Sequence, residues 1–366
     1  MSRAESASGA FIAEANFMLR HEEVFGFCDE ALFSCRIPAL VALPDGSLCA
    51  FCEARLGTGG DWDPMSLRAR RRGPDGVWEA ARDVARNAHG PVHNPAPFVV
   101  GDEVHLLYCR DYARCFHAVS RDGGRTFGEG EDITYVFESF RGRDVPGGID
   151  WHCIAVGPGG VTRLEGGRLV APVWLGGLVD PHRHDPCQTA TIYSDDGGAS
   201  WHAGEVLDMF RLGPSEAQVV ALPKDAPARA LISLRNQGAQ RRRAFASSPD
   251  GIGWSKPWLA DNVTEINCQG SLIRCGNLLV ITGPEPEGEE RERRVRRRLT
   301  LRASRDWGRT WSRGRVLCEG ASGYSALALD GQGNLCCLYE TWEDAHLVRL
   351  RLLTVPAREL EELLRD

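Results

Sequence analysis

The chain has 366 residues, of which 43% are hydrophobic and 25% charged, and its formal net charge is −7. This composition belongs to a globular protein with length for one large domain or two ordinary ones, and it excludes a disordered chain. A net acidic chain argues against nucleic acid or an anionic membrane as partner, since both require a basic face. No run approaches the roughly 20 apolar residues of a membrane helix. Met1 to Phe17 carries Glu5 and Glu14 and no basic leader followed by an apolar stretch. No signal peptide is therefore expected, and the expected location is the cytoplasm. The 13 cysteines lie singly or as the Cys336–Cys337 pair. They are expected to be reduced and mostly buried, and without two Cys-x-x-Cys pairs a structural zinc site is not expected.

In chain order, short β-type segments recur at 39–43, 103–108, 168–174, 218–222, 278–282 and 335–339, with Gly, Asp, Asn and Pro between them. Only 357–364 has the pattern of an amphipathic helix. Many short strands with turn signals mean a sandwich, a barrel or a propeller, and an internal repeat decides among them. Ser120-Arg-Asp-Gly-Gly-Arg-Thr-Phe127 returns as Ser194-Asp-Asp-Gly-Gly-Ala-Ser-Trp201 and as Ser304-Arg-Asp-Trp-Gly-Arg-Thr-Trp311. Ser248-Pro-Asp-Gly-Ile-Gly-Trp254 is a shortened copy, and Pro74-Asp-Gly-Val-Trp78 a decayed one. A four-stranded propeller blade needs roughly 40–50 residues or more, so about six such units fit. Within each copy the Asp accepts backbone N–H bonds, Gly supplies a positive φ, and the aromatic is expected to tuck into its blade. The repeat is therefore a structural turn. The fold expected is all-β, a six-bladed propeller over 26–355, with an N-terminal extension at 1–25 and a short C-terminal helix at 356–366.

Several polar residues stand out between these segments. Arg36 lies among apolar residues in Cys35-Arg-Ile-Pro-Ala-Leu40, where alone it reads as an edge-strand surface residue. Glu53-Ala-Arg55-Leu-Gly-Thr-Gly-Gly-Asp61-Trp-Asp63 joins two further acids to a glycine-rich loop. Glu216 precedes an apolar strand in Glu-Ala-Gln218, and Arg235 ends the run Leu231-Ile-Ser-Leu. The highly charged stretch 287–294 reads as a solvated loop except for its last arginines. His182, His184 and Asp185 sit in a Pro-flanked loop and read as solvated rather than metal-binding. Gly157-Pro-Gly-Gly160 lacks a following Lys-Ser/Thr, so no phosphate loop is implied.

The repeated turn resembles the Asp-box of the sialidases, and the polar residues fall in that family's order: Arg-Ile-Pro, Arg-x(5)-Asp, Glu-x-Gln, Arg, Arg, Tyr-Ser and Tyr-Glu, from Arg36 to Glu340. The resemblance implies that Arg36, Arg235 and Arg296 clamp a substrate carboxylate, with Arg298 as the alternative to Arg296 on the same strand face. A guanidinium suits that task because it binds a carboxylate bidentately and stays charged when desolvated. Tyr324, in Gly-Tyr-Ser-Ala326, would be the nucleophile and Glu216 its base. A neutral phenol avoids the repulsion that a carboxylate nucleophile would meet beside a carboxylate-bearing anomeric carbon. Ala326 stands where the family often has Asp. Asp61, with Asp63 as alternative, would protonate the leaving oxygen, and Arg55 would bind a ring hydroxyl. Glu340 would hold Arg36 in place. His93-Asn94-Pro-Ala-Pro and Asn267-Cys-Gln269-Gly-Ser also resemble family segments, and Asn94 and Gln269 are candidate pocket residues, with turn roles equally open. The implied activity is a retaining exo-α-sialidase acting on a sialylated glycan or free sialoside, without metal or organic cofactor. A hydrolase of a related sugar acid (Kdn or Kdo) and a non-catalytic glycan-binding propeller are the alternatives.

Overall fold

The alternating segments form the strands of six antiparallel sheets, each entered at its innermost strand. The computed structural model describes residues 19–26, 32–142, 150–177, 187–207, 212–343 and 347–364. Blade 1 comprises Leu32–Ala42, Leu48–Leu56, Met65–Arg72 and Arg82–Asn87. Blade 2 comprises Val92–Val100, Glu103–Arg110, Arg114–Ser120 and Glu131–Asp132. Blade 3 comprises Trp151–Val156, Leu169–Gly177, Cys187–Ser194 and His202–Val206, with the short strand Thr162–Arg163 beside it. Blade 4 comprises Ala217–Ala221, Ala230–Leu234, Arg242–Ser248 and Trp258–Thr264. Blade 5 comprises Ser271–Cys275, Leu278–Pro284, Arg297–Ser304 and Arg315–Ala321. Blade 6 is built from Ser325–Leu329, Leu335–Thr341 and Arg349–Val355, and its outer strand is Arg20–Phe25.

That outer strand corrects the boundary expected from sequence. Residues 20–25 are not an extension: Arg20 pairs with Thr354 and His21 with Leu353. The N-terminal strand thus completes the sheet built by the C-terminal end of the chain and closes the ring. The helix Ala357–Leu363 follows directly and packs Leu360 and Leu363 against blades 5 and 6.

The core lies between blades rather than at one centre. The buried apolar residues fall mainly into six clusters, each shared by two neighbouring sheets. The repeated turns serve this packing. In the first copy the Ser120 hydroxyl donates to Asp122 Oδ1 and accepts from the Gly124 amide, while Asp122 accepts from the Thr126 amide and hydroxyl. The copies at Ser194 and Ser304 repeat these bonds. The Ser200 hydroxyl and amide hold the Asp196 carboxyl at about 2. The aromatic of each copy also reaches the preceding blade. Phe127 meets Phe51 edge-on at 5.9 Å, Trp201 meets Phe98 at 6.0 Å, and Trp311 stacks on Phe245 at 5.2 Å.

The second glycine of the turn is fixed by two constraints at once. Gly308 has φ +86°, and a Cβ there would lie 2.7 Å from Leu231 Cδ2 on blade 4. Gly308→Ala is therefore expected to cost about 2 kcal/mol or more, from backbone strain plus an overpacked contact. Thermal unfolding of the variant checks this, and an unchanged midpoint would remove the turn from the account of blade packing.

Candidate active site

Antiparallel pairing brings the start of a blade's first strand, the end of its second and the start of its third to the same end of the sheet. The residues singled out from sequence occupy those positions. Glu216 immediately precedes Ala217, whose register partner is Leu234, so Arg235 lies across from it. Tyr324 immediately precedes Ser325, whose partner is Tyr339, so Glu340 lies across from it. Arg296 immediately precedes the third strand of blade 5. Blades 4, 5 and 6 thus contribute one end each to a shared face.

At the centre is Tyr324, whose side chain is buried. Its hydroxyl donates to Glu216 Oε1 at 2.5 Å and accepts from Arg235 Nη1 at 2.6 Å; the same nitrogen donates to Glu216 Oε2 at 2.5 Å. Burial pushes the Tyr324 phenol well above its ordinary range, with Glu216 acting in the same direction, although Arg235 and Arg296 pull it down. The resting group is therefore a neutral phenol already hydrogen-bonded to a carboxylate. The three arginines surround this ring: Arg296, Arg36 and Arg235 lie 5.3, 5.6 and 6.0 Å from its centroid.

Arg36 is aimed by a bulge. The register with the neighbouring strand shifts between Arg36 and Ala39, and Ile37 takes φ +54°. A bulge of this kind redirects a side chain. Glu340, fully buried, then accepts from Arg36 Nε and Nη2 at 3.1 and 3.3 Å and from the Ile37 and Tyr324 amides at 3.0 Å each. Burial alone would raise this carboxyl, but Arg36 and these amides hold it below its usual range. Glu340 therefore fixes both an arginine and the nucleophile candidate. Arg36 keeps a side chain 20% exposed, with surface left for a ligand.

A second charged group stands on blade 1. Arg55 is 2% exposed and gives Nε and Nη2 to Glu53 at 2.9 and 2.6 Å. Its Nη1 donates to the Gly59 carbonyl at 3.1 Å and to Asp61 at 2.6 Å. Four of the five N–H donors of a guanidinium are thereby engaged. Through these bonds Arg55 anchors the loop that carries Asp61. The Asp61 side chain is 47% exposed. Asp63 instead closes the loop, accepting from the Thr58 amide and hydroxyl and the Gly60 amide, which hold its carboxyl low. Of the two acids, Asp61 is the one held by Arg55.

Arg298 departs from expectation, while Asn94 and Gln269 take the structural role that the sequence left open. Arg298 does not share the face of Arg296. It takes φ +58° at a register shift between Arg297 and Leu299, which breaks the strand alternation, and it pairs with Glu287 and Glu319. Asn94 is buried; its amide donates to Glu53 Oε1 and its side chain to the Val156 carbonyl, so it ties blade 2 to blades 1 and 3. Gln269 is buried and bonds both the amide and the carbonyl of Ser325, tying blade 5 to blade 6. Both hold the inner strands in place, and Gln269 also lines a small cavity with Arg243, Glu265 and Thr282. His182, His184 and Asp185 lie outside the described residues.

Sequence reasoning also missed residues. Glu53 receives Arg55 and the Asn94 amide with no exposed surface; its position two residues from Arg55, on one strand face, was the available signal. Tyr112 sits at the tip of a blade 2 hairpin, stacked on His93 at 3.8 Å and tilted against Trp62 at 4.5 Å. These rings wall the Asp61 loop on one side. Only the placement of Trp62 beside Asp61 hinted at this.

The fold and this centre define a class: a six-bladed propeller with an arginine-lined anion site around a base-coupled tyrosine. The match to known proteins agrees. Residues 46–337 fit the family described as a BNR repeat-like domain. Sialidase-3 of Bos taurus is 28% identical over 87% of this chain and 89% of that protein. The sialidase of Micromonospora viridifaciens is 27% identical over 83% of this chain and 49% of its own length. The solved structure of the Hadza microbial sialidase Hz136 superposes with TM-score 0.72, at 23% identity, over 92% of this chain and 68% of that one. The chain belongs to the BNR repeat-like family and, within it, to the sialidases.

Proposed function

We propose that the protein is an exo-α-sialidase that removes a terminal carboxylate-bearing nonulosonic sugar with retention, through a tyrosyl intermediate. The observation that carries this reading is the Tyr324 hydroxyl held between Glu216 and Arg235 beneath two further arginines. A protein that only bound the sugar acid would need the arginines but not a phenol coupled to a base. In the first half-reaction Arg36, Arg235 and Arg296 fix the carboxylate, and the Tyr324 oxygen attacks the anomeric carbon. Its proton passes to Glu216 along the existing hydrogen bond as the glycosidic bond breaks, and Asp61 supplies a proton to the departing oxygen. In the second, Asp61 takes a proton from water, which displaces Tyr324 from the sugar, and Glu216 returns the phenolic proton. Two inversions at one carbon give net retention.

The test is hydrolysis of 4-methylumbelliferyl α-sialoside, with the first-formed anomer followed by proton NMR. Release of fluorophore with the α-sugar appearing first is the expected result. A folded protein that releases nothing would reject sialidase activity, and Kdn and Kdo glycosides would then be the substrates to examine. A β-sugar appearing first would reject the tyrosyl intermediate.

A further inference from the structure

Two of the three arginines converge on one residue, Asn267. Asn267 Oδ1 accepts from Arg235 Nε at 2.8 Å, and the Asn267 carbonyl accepts from Arg296 Nη2 at 3.1 Å. Arg235 begins on blade 4 and Arg296 on blade 5. Asn267 lies in the connection between these blades and holds both guanidiniums from one point.

The connection is itself anchored. Glu265, 2% exposed, accepts from the Asn267 and Cys268 amides at 2.5 and 3.1 Å. Its other oxygen accepts from Arg243 Nη1 at 2.5 Å, and that nitrogen also donates to the Cys268 carbonyl at 2.9 Å. A buried ion pair thus fixes the turn from below. Asn267 stands at φ +62°, a left-handed conformation that asparagine tolerates better than other side-chain-bearing residues.

We propose that Asn267 is the positioning residue of the carboxylate clamp, setting Arg235 through its side chain and Arg296 through its backbone, with the Arg243–Glu265 pair as its support. The inference rests on the three-arginine reading above. Its consequence is a division of labour within one residue. Removing the side chain alone frees Arg235 Nε, so that Arg235 is held only through Nη1 by Glu216 and Tyr324, and leaves the bond to Arg296 intact. Glycine is the right replacement, because it adopts the same φ without strain.

The experiment compares wild type and Asn267→Gly in thermal unfolding, in kcat and KM for 4-methylumbelliferyl α-sialoside, and in calorimetric affinity for the 2,3-didehydro analogue of sialic acid. The expected result is an unchanged unfolding midpoint and a roughly tenfold or greater rise in KM. A matching loss of affinity for the analogue is expected, with a smaller change in kcat. Wild-type KM and affinity in the variant would overturn the proposal. So would a lowered unfolding midpoint with KM unchanged, since that marks a structural residue. If wild type binds the analogue without cleaving the sialoside, the hydrolase reading fails while the affinity comparison still decides the role of Asn267. If wild type does not bind the analogue, the clamp fails and this inference with it.

Discussion

Tyr324→Phe is expected to lower kcat/KM for an aryl sialoside by roughly a thousandfold or more, while the protein keeps its fold and its affinity for the sugar acid. The substitution removes one oxygen. The ring still fills its place over Ile37, Ile266 and Cys268, the small cluster beneath it, and the arginines keep their ring contacts. What is lost is the atom that bonds to the sugar and the proton that Glu216 receives. Glu216→Gln should cost roughly 10²–10⁴ for the related reason that the amide cannot take the proton. Burial keeps the phenol neutral, so without its base the hydroxyl is a poor nucleophile. Because both residues serve one proton transfer, the double variant should be hardly worse than Tyr324→Phe alone. Steady-state kinetics on the four proteins checks this. Activity above a tenth of wild type in Tyr324→Phe, or fully additive losses, would mean that the two groups do not work as a unit.

The parts of this site that were legible in the sequence are those set by local pattern or by a motif that spans a few residues. Glu216 and Arg235 stand at facing ends of adjacent strands, and their 19-residue separation is what one hairpin of a blade requires. The turn at Ser120 could be read because all its bonds are made within seven residues. What stayed hidden depends on distant contacts or on broken alternation. The strand Arg20–Phe25 is Arg-His-Glu-Glu-Val-Phe, too polar to announce itself, and its partner lies more than 320 residues away. Arg296 and Arg298 share a face only if the strand is regular, and the bulge at Arg298 removes that premise. Asn94 and Gln269 carry polar side chains in family-like segments, but whether such a group faces a ligand or a neighbouring strand is decided by how the blades pack.

The aromatic of the repeat shows the same limit at the level of the fold. The turn itself follows from Ser, Asp and Gly, yet Phe127, Trp201 and Trp311 also reach the adjoining blade. A repeat unit that cannot bury its own face must stack on its neighbour. The copies therefore act as fasteners between sheets, which accounts for their strong sequence pattern at a place remote from the chemistry.

Arg55→Met tests the other charged centre and should have the largest effect on stability. The Arg55 and Glu53 side chains are 2% and 1% exposed, so removing the arginine strands a carboxylate in the interior. Breaking such a pair costs about 3–5 kcal/mol, readable as a shift in the urea midpoint. The loss should depend on pH. Burial already raises the Glu53 carboxyl above its ordinary range, against the pull of Arg55, and without Arg55 it rises further. A carboxyl with a raised folded-state value is better tolerated protonated, so its contribution is retained in acid and lost as pH rises through that value. The deficit of Arg55→Met should thus be smallest near pH 5 and grow toward pH 8. Adding Glu53→Gln should recover much of it, because glutamine still accepts from the Asn94 amide and carries no charge. Activity should not recover in that double variant: Asp61 has lost its anchor, and kcat should stay roughly a hundredfold low with KM little changed. A recovered kcat would show that Asp61 does not depend on Arg55. A large rise in KM at normal kcat would instead return Arg55 to direct contact with the sugar.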